Sequence, residues 1–346
     1  MYVKCQGKAT LMMTGDLITH KNCTQFTRLL LTVLIVVATS ALAHASLLYD
    51  YSLVVTGNLR SSSEVEGRTL VGGDINGISN SSSNYGIHLI AGEYSGVDTL
   101  IVGGDINPTI NLNAGHARIG GSVNGGINAN NGSTWQQGDS TVAAEVTAAT
   151  TAMSSLSQHL YTFGGDSVSL PSSQPSAVNF NASPGSNGIA FFDIPNGSNL
   201  FDNDKVQQMG LSLGSADFVV INVGGTSINW NHGNMVGDFV TEQGRSRVLW
   251  NFHEATHLNT KSKGFNGSLL APESFLRVEG VVEGSVFVKS FRQMGEVHLP
   301  VFAMDTFPEI PDPPGPAVPE PGTFMFGLLG LLMATAFPTR SRRRRK

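Results

Sequence analysis

The chain has 346 residues, a net charge of −5, 40 glycines and 2 cysteines. Cys5 and Cys23 both lie in a leader that we expect to be removed, which excludes disulfide bridges and thiolate metal sites from the mature protein. Residues 46–319 carry 11 Lys and Arg against 24 Asp and Glu, a net charge near −13 that disfavours nucleic acid and anionic membranes as partners. The many Gly, Ser and Asn residues are typical of a turn-rich β protein.

Residues 1–45 have the pattern of a signal peptide. Four basic residues precede an apolar run, Leu29–Ala38. Ala43 and Ala45 then form an A-x-A cleavage site before Ser46. We therefore predict export and a mature chain that begins at Ser46.

The predicted domain, 46–307, opens with short apolar segments that end at Gly-Gly corners. The sequence VGGDIN at Val71–Asn76 recurs at Val102–Asn107 and, as IGGSVN, at Ile119–Asn124. The separations of 31 and 17 residues follow no fixed period. The pattern still favours successive coils of a β-solenoid, with glycine supplying positive φ at the corners.

Ser140–Phe163 has the spacing of an amphipathic helix. Its apolar residues recur at intervals of three and four and are Val142, Val146, Ala149, Met153, Leu156 and Leu160. Asp139 or Ser140 can cap the helix, and a Gly-Gly pair at 164–165 stops it. We place this helix along the solenoid flank, with His159 off the apolar stripe and in solvent.

The chain beyond the helix returns to short strands. Gly165–Pro184 is rich in Ser and Pro and is predicted to be a loop, whereas Asp217–Gly224 is apolar enough for a strand buried on both faces. Trp230 begins a segment predicted to be an exposed turn, and strands recur about every 10 residues from Val248 onward. A Pro-rich linker, 308–317, follows. The fold class is mainly β, a β-solenoid with one flanking amphipathic α-helix.

Residues 318–346 contain a turn motif, an apolar run and a basic end. The motif residues are Val318, Pro319, Glu320 and Pro321. The apolar run, Phe324–Phe337, has 14 residues, fewer than the roughly 20 of a membrane-spanning helix, and six Lys and Arg follow it.

This end resembles the PEP-CTERM sorting signal of Gram-negative bacteria. The resemblance implies transient retention in the membrane by the C-terminal segment and cleavage by an exosortase-type peptidase. Release to the cell envelope, the cell surface or the extracellular matrix would follow. The alternative is a C-terminal anchor that is never cut.

The order of segments between Leu53 and Phe302 resembles the choice-of-anchor A family of bacterial surface proteins. The matching segments, besides the helix, are Val65–Gly73, Leu249–Phe252, Gly267–Pro272, Glu283–Val286 and Gly295–Phe302. The resemblance implies a surface-displayed adhesive domain and no catalytic residues.

His253, Glu254 and His257 spell the zincin signature H-E-x-x-H. That chemistry requires a helix, which places both histidines on one face beside a glutamate that activates zinc-bound water. The flanking residues favour a strand instead, where histidines four positions apart lie about 13 Å from each other. Glu279 is the remaining candidate for a third ligand, and we expect neither a metal nor another cofactor.

Other candidate sites carry weaker patterns. Asp74, Asp105 and the pair of Glu279 and Glu283 could serve as glycosidase carboxylates, but nothing in the sequence fixes their separation, and we expect solvated corner residues. The aspartates also lack the Gly-Gly-x-Gly-x-Asp pattern of calcium-binding β-rolls.

The three tryptophans could stack on sugar rings. They are Trp135, Trp230 and Trp250, although Trp250 fits the core better.

The sequence therefore predicts an exported, non-enzymatic surface protein that binds extracellular polysaccharide or another matrix component. Two alternatives are an exported zinc peptidase and an ice-binding solenoid. The second would require regular Thr-x-Thr ranks, which the sequence lacks.

Overall fold

A computed structural model describes residues 47–79 and 81–304. The predicted cleavage site, the linker and the sorting motif lie outside these residues and stay predictions. By its internal contacts the chain divides into two units, Met1–Phe307 and Pro308–Lys346, and the fold below is that of the first.

The first half of the domain consists of short strands followed by one long helix. The strands are β1 (Leu53–Val55), β2 (Leu59–Ser61), β3 (Glu64–Val65), β4 (Thr69–Val71), β5 (Ile75–Gly77), β6 (Ser83–Tyr85), β7 (Asp98–Val102), β8 (Thr109–Leu112), β9 (His116–Ile119), β10 (Gly126–Ala129) and β11 (Thr134–Gln137). The helix α1 (Val142–Tyr161) has 20 residues. A helical turn at 47–50 precedes β1.

The second half has longer strands and two short helices. The strands are β12 (Asp166–Ser167), β13 (Ser176–Asn181), β14 (Ile189–Ile194), β15 (Val206–Ser212), β16 (Phe218–Val223), β17 (Ser227–Asn229), β18 (Asn234–Gly237), β19 (Val248–Asn251), β20 (His257–Lys261), β21 (Phe265–Asn266), β22 (Ser268–Val278), β23 (Val282–Glu283), β24 (Val286–Gln293) and β25 (Val297–His298). The helices are α2 (Ser198–Phe201) and α3 (Glu242–Arg247), and a 3-10 turn spans Asp238–Val240. The strands β12 and β13 correct the prediction of a loop at Gly165–Pro184.

The chain is mainly β, as predicted, and its described strand pairs are parallel. The main sheet has the order β11-β9-β7-β4-β1-β24-β22-β19-β16-β14-β12. Its long strands β22 and β24 continue into a side branch with the order β17-β20-β22-β24-β2-β5. A second sheet has the order β10-β8-β6-β3-β25-β23-β21, and a third the order β13-β15-β18.

The two halves of the chain meet in the middle of the main sheet. Strands of the first half add outward from β1 to β11, whereas those of the second half start at the far end with β12 and finish at β24 beside β1. Leu53 of β1 pairs with Val286 of β24 and with Thr69 of β4. The connection that contains α1 therefore carries the chain from one end of the sheet to the other.

Helix α1 covers the outer side of the main sheet. The predicted stripe is confirmed, because Val142, Met153 and Leu160 are fully buried and pack in one apolar cluster with sheet residues such as Leu249 and Phe287. A parallel sheet needs apolar cover on both faces, and the helix provides it on this one. The predicted strand around β16 is correspondingly buried on both sides.

Polar contacts fix both ends of α1. Near its start, Arg118 on β9 binds Asp139 at 2.8 Å and Glu145 at 2.6 Å. Hydrogen bonds from Thr141 and Arg118 hold the pKa of the Asp139 carboxyl well below its usual range. Toward its end, Ser157 exchanges hydrogen bonds of 2.6 and 2.9 Å with the buried side chain of Asn251.

Of two further predictions for this helix, the cap is confirmed and the position of His159 is corrected. Thr141 directly precedes the helix and its own side chain makes no capping hydrogen bond, whereas Asp139 accepts a hydrogen bond from the amide of Thr141 at 2.9 Å and thus caps the first turn, as predicted. His159 is half-buried against Phe163, with ring centroids 5.3 Å apart, and does not project freely into solvent as expected.

The repeated VGGDIN segments lie side by side in register. Val71 pairs with Val102, and Val102 pairs with Ile119. Their glycines have a different role from the predicted one, because Gly72 and Gly103 do not adopt positive φ. A Cβ on Gly103 would lie 2.2 Å from the carbonyl oxygen of Gly72, so glycine is needed for close approach between neighbouring corners.

We predict that Gly103→Ala lowers the free energy of unfolding by about 1–3 kcal/mol, because the added methyl group forces two backbones apart. Gly92→Ala is the matched control, since its Cβ would have no neighbour within 4 Å and its φ is not positive. We expect that control to change stability by no more than about 1 kcal/mol. Urea denaturation of both variants measures the difference, and equal stability would contradict this role for Gly103.

Candidate functional site

The side branch of the main sheet presents an ordered polar surface. Along each strand a buried apolar residue, such as Leu59, Ile75 or Leu276, points into the core. The residues before and after it point outward, because side chains alternate along a strand. Each strand thus contributes one outward pair, and helix α1 packs on a different part of the sheet.

Two rows of side chains result, which we name the Asn–Arg row and the mixed row. The Asn–Arg row consists of Asn229, Asn259, Arg277, Arg292, Arg60, Asn76, Asn107 and Asn124. The mixed row consists of Ser227, His257, Phe275, Ser290, Asn58, Asp74, Asp105 and Ser122. With adjacent strands about 4.8 Å apart, eight positions span about 34 Å. We call the two rows together the two-row face.

Asparagine side chains in the Asn–Arg row form a ladder. The Nδ2 of Asn107 donates to Oδ1 of Asn76 at 3.0 Å, and the Nδ2 of Asn124 donates to Oδ1 of Asn107 at 2.9 Å. Each amide keeps a further donor and acceptor site for a ligand. A similar ladder on the second sheet joins Asn84, Asn111 and Asn128.

The aspartates of the mixed row bind backbone groups on neighbouring turns. Oδ1 of Asp74 accepts from the amide of Asp105 at 2.9 Å, and Oδ1 of Asp105 accepts from the amide of Ser122 at 2.7 Å. Both side chains are half-buried, which corrects the expectation of solvated corner residues. Each carboxylate thus connects its own corner of the chain to the next one along the row.

Three arginines occupy consecutive positions in the Asn–Arg row. Arg277 pairs in register with Arg292, and Arg292 pairs with Arg60. Two unit charges about 5 Å apart in water repel by about 0.8 kcal/mol, and like charges on neighbouring strands are destabilising. The surface therefore concentrates positive charge in an otherwise acidic domain.

The acidic partners of these arginines are few. Glu279 binds Arg277 at 2.6 Å, whereas neither Arg60 nor Arg292 forms an ion pair with any residue in 47–79 or 81–304. Arg60 donates from Nε to the carbonyl of Gly77 at 3.2 Å. The Nε of Arg292 is buried and has no hydrogen-bond partner among the described residues.

An exposed aromatic residue lies beside the arginines. Phe275 in the mixed row is 40% exposed, and its ring centroid is 6.4 Å from that of His257. Two residues later in the same strand, Arg277 points to the same side. The two-row face thus combines amide, guanidinium and aromatic groups.

The H-E-x-x-H segment lies at a corner between two strands. His253 and Glu254 follow β19 in a turn, and His257 is the first residue of β20, so the segment is neither a helix nor the single strand we predicted. His253 stacks on Tyr161 of α1 at 3.9 Å, and Glu254 accepts a hydrogen bond from the amide of Gly225 at 2.9 Å.

These contacts give each residue of the motif a separate environment. Burial lowers the pKa of His253, whereas His257 is exposed and lies in the mixed row. Within residues 47–79 and 81–304, no group of three or more His, Cys, Asp or Glu side chains is arranged to hold a metal ion.

The three tryptophans that were candidates for stacking on sugar rings lie in different environments. Trp230 is buried and donates from Nε1 to the carbonyl of His232 at 2.7 Å, so the expected exposed turn at Trp230 is wrong. Trp250 is fully buried in the core. Trp135 is 41% exposed, but it lies on β11 at the edge of the main sheet and outside the two-row face.

A second charged cluster surrounds His298 on β25. Its ring nitrogens lie 2.7 Å from Glu296, 3.7 Å from Glu66 and 3.4 Å from Glu283. Burial lowers the pKa of His298, but the hydrogen bond to Glu296 and the charges of Glu66 and Glu283 outweigh that effect, and the pKa is raised. Arg245 binds Glu283 at 3.1 Å, so this glutamate is not a free catalytic carboxylate.

We predict that His298→Gln destabilises the protein more at about pH 5.5 than at about pH 8.5. A raised pKa means that the histidine stabilises the fold fully below its unfolded value near 6.5 and loses this contribution as the pH rises through the folded value. Urea midpoints at both pH values measure the effect. His116→Gln, which replaces a half-buried histidine outside this cluster, is the control, and an equal loss at both pH values in His298→Gln would contradict the prediction.

Comparison with known proteins gives one family match. The family model described as "Putative Ice-binding-like adhesive domain" matches residues 44–299. No curated protein and no solved structure matches the chain. The family match does not test the PEP-CTERM and choice-of-anchor A resemblances, and both stay predictions.

Proposed function

This chain belongs to the ice-binding-like adhesive domain family, and from that premise we propose that it is an exported adhesin that binds extracellular polysaccharide through the two-row face. Membership in an adhesive family indicates a surface protein. The observation that supports the ligand assignment is the two-row face itself, an array of evenly spaced polar side chains about 34 Å long.

We also propose that the domain is a β-solenoid. Strands from successive turns pair in register on the main sheet and on the second sheet, for instance Val71 with Val102 and Asn84 with Asn111. Each turn of a solenoid contacts its neighbours along the stack, so a row of identical side chains can extend over many turns. The asparagine ladders fit this arrangement.

The chemistry of the face suits a sugar polymer. Side-chain amides donate to and accept from hydroxyl groups, and Phe275 offers a flat apolar surface for the ring of a sugar. The ice-binding alternative would require Thr-x-Thr pairs, whereas the outward pairs here are of the types Asp-x-Asn, Ser-x-Asn and Phe-x-Arg. We therefore propose polysaccharide as the ligand and a non-enzymatic role.

We predict that Phe275→Ala weakens polysaccharide binding by about 1–3 kcal/mol, or roughly 5- to 150-fold in affinity, because a stacking surface is lost. Trp135→Ala removes an aromatic residue of similar exposure outside the face, and it should bind as the parent protein does. Isothermal titration with matrix polysaccharide measures both.

Further measurements separate the proposal from its two alternatives. We expect polysaccharide binding to persist in EDTA, whereas stoichiometric zinc that is lost in His253→Ala would favour the peptidase. Thermal hysteresis of the purified protein without polysaccharide binding would favour the ice-binding alternative.

We further propose sorting through the C-terminal segment in a Gram-negative envelope, with cleavage by an exosortase-type peptidase. The support is the order of motif, apolar run and basic end in residues 318–346. None of the helices in residues 47–79 and 81–304 has the length and hydropathy needed to span a membrane.

We predict that replacing Pro319 and Pro321 with Ala blocks processing, because the extended motif loses its rigidity. Mass spectrometry of the surface fraction should then show the uncut chain in the membrane and little protein at the surface. A Pro314→Ala variant in the linker is the control. Normal processing of the motif variant would contradict the sorting proposal.

A further inference from the structure

We propose that Arg277, Arg292 and Arg60 form a binding site for the carboxylate groups of an acidic polysaccharide, which makes the two-row face selective for polyuronates over neutral glycans. This inference rests on the proposed function, because it names the class of polysaccharide that the same face binds. It requires no metal and no covalent step.

The site is built from three strands that are far apart in sequence. Arg60 lies on β2, Arg277 on β22 and Arg292 on β24, and the pairings of β22 with β24 and of β24 with β2 bring them together. Seven arginines occur in the described residues, and these three occupy adjacent positions on one surface.

The arrangement lacks the anions that would balance it. Glu279 pairs with Arg277, but Arg60 and Arg292 have no carboxylate within ion-pair distance in the described part of the chain. Within the same residues the Nε donor of Arg292 is buried without an acceptor. Repulsion between neighbouring guanidinium groups is then relieved by a ligand that supplies negative charge.

The geometry favours carboxylates carried on a sugar chain. A guanidinium group binds a carboxylate through two parallel N–H donors, so arginine selects this group more strongly than lysine does. Positions in the row follow one another about every 4.8 Å. Duplex DNA carries one charge per about 1.7 Å, a density that the acidic domain would repel and that three arginines cannot match.

The flanking residues suit the uncharged parts of such a polymer. Asn259 precedes the arginines in the row, and Asn76 follows them, so amide groups are available for hydroxyls on both sides. Phe275 is next to Arg277 in the sheet and exposes its ring on the same side. A linear chain that lies along the row would meet amides, then guanidinium groups, then amides.

The test compares two probes on the full-length protein, namely alginate oligosaccharides, with one carboxylate on each sugar, and dextran oligosaccharides of equal length. We expect the parent protein to bind alginate more tightly, and rising NaCl concentration to weaken alginate binding but not dextran binding. The double variant Arg60→Gln/Arg292→Gln should lose roughly tenfold or more in alginate affinity and bind dextran as before.

Two matched variants separate position and shape from charge. Arg68→Gln/Arg247→Gln removes the same two charges outside the row and, like the single variant Arg247→Gln on α3, should bind alginate as the parent does. Arg60→Lys/Arg292→Lys keeps the charge but loses the planar donor pair, so it should recover only part of the lost affinity. Circular dichroism and urea denaturation of each variant confirm that it is folded.

Several outcomes would overturn the inference. Equal affinity of the parent for alginate and dextran, with loss of both in Phe275→Ala, would refute the carboxylate site and leave the proposed function standing. The same loss of alginate binding in Arg247→Gln would show a nonspecific charge effect. Preferential binding of duplex DNA would contradict the glycan assignment, and binding of neither sugar probe would refute the proposed function together with this inference.

Discussion

Burial of the outer side of the main sheet under helix α1 is the constraint on which the rest of the fold depends. The outward residues of the central strands, such as Val54, Leu249 and Phe287, are apolar and would face water without the helix. The same helix carries the chain from the end of the sheet at β11 to the end at β12. One element therefore both covers the sheet and connects its two ends. Because α1 packs on the central strands, the side branch is free to present polar groups.

In the function proposed above, the polar side branch is the adhesive surface. Backbone pairing holds the side chains of neighbouring strands in fixed rows, so little conformational entropy is lost when an extended polymer binds along them. Each contact between one sugar and one side chain is weak, but a polymer with repeated groups makes many of them at once. A face of this kind gains avidity from its length and has no need of a deep pocket.

Much of the fold follows from local sequence patterns. The spacing of Val142, Met153 and Leu160 predicts α1, and the VGGDIN segments pair as their similarity suggests. The Asn–Arg row was not predicted, because pairing such as that of Arg60 with Arg292 joins residues more than 200 positions apart. A signal existed in the recurring triplets of a polar residue, an apolar residue and Asn or Arg, as in Asp74–Asn76. The environments of Trp230 and His253 depend on distant packing partners, which local patterns do not reveal.

The first and last described strands lie in the interior of the sheets. β1 is between β4 and β24, β25 pairs with β3, and Leu48 and Phe302 pack in the same apolar cluster. Both ends of the described chain therefore lie near the middle of the sheets, away from the edge strands β11 and β12 of the main sheet. Strands could be added or lost at either edge of the main sheet without moving these two ends, so the length of the sheet can vary while the middle of the domain stays the same.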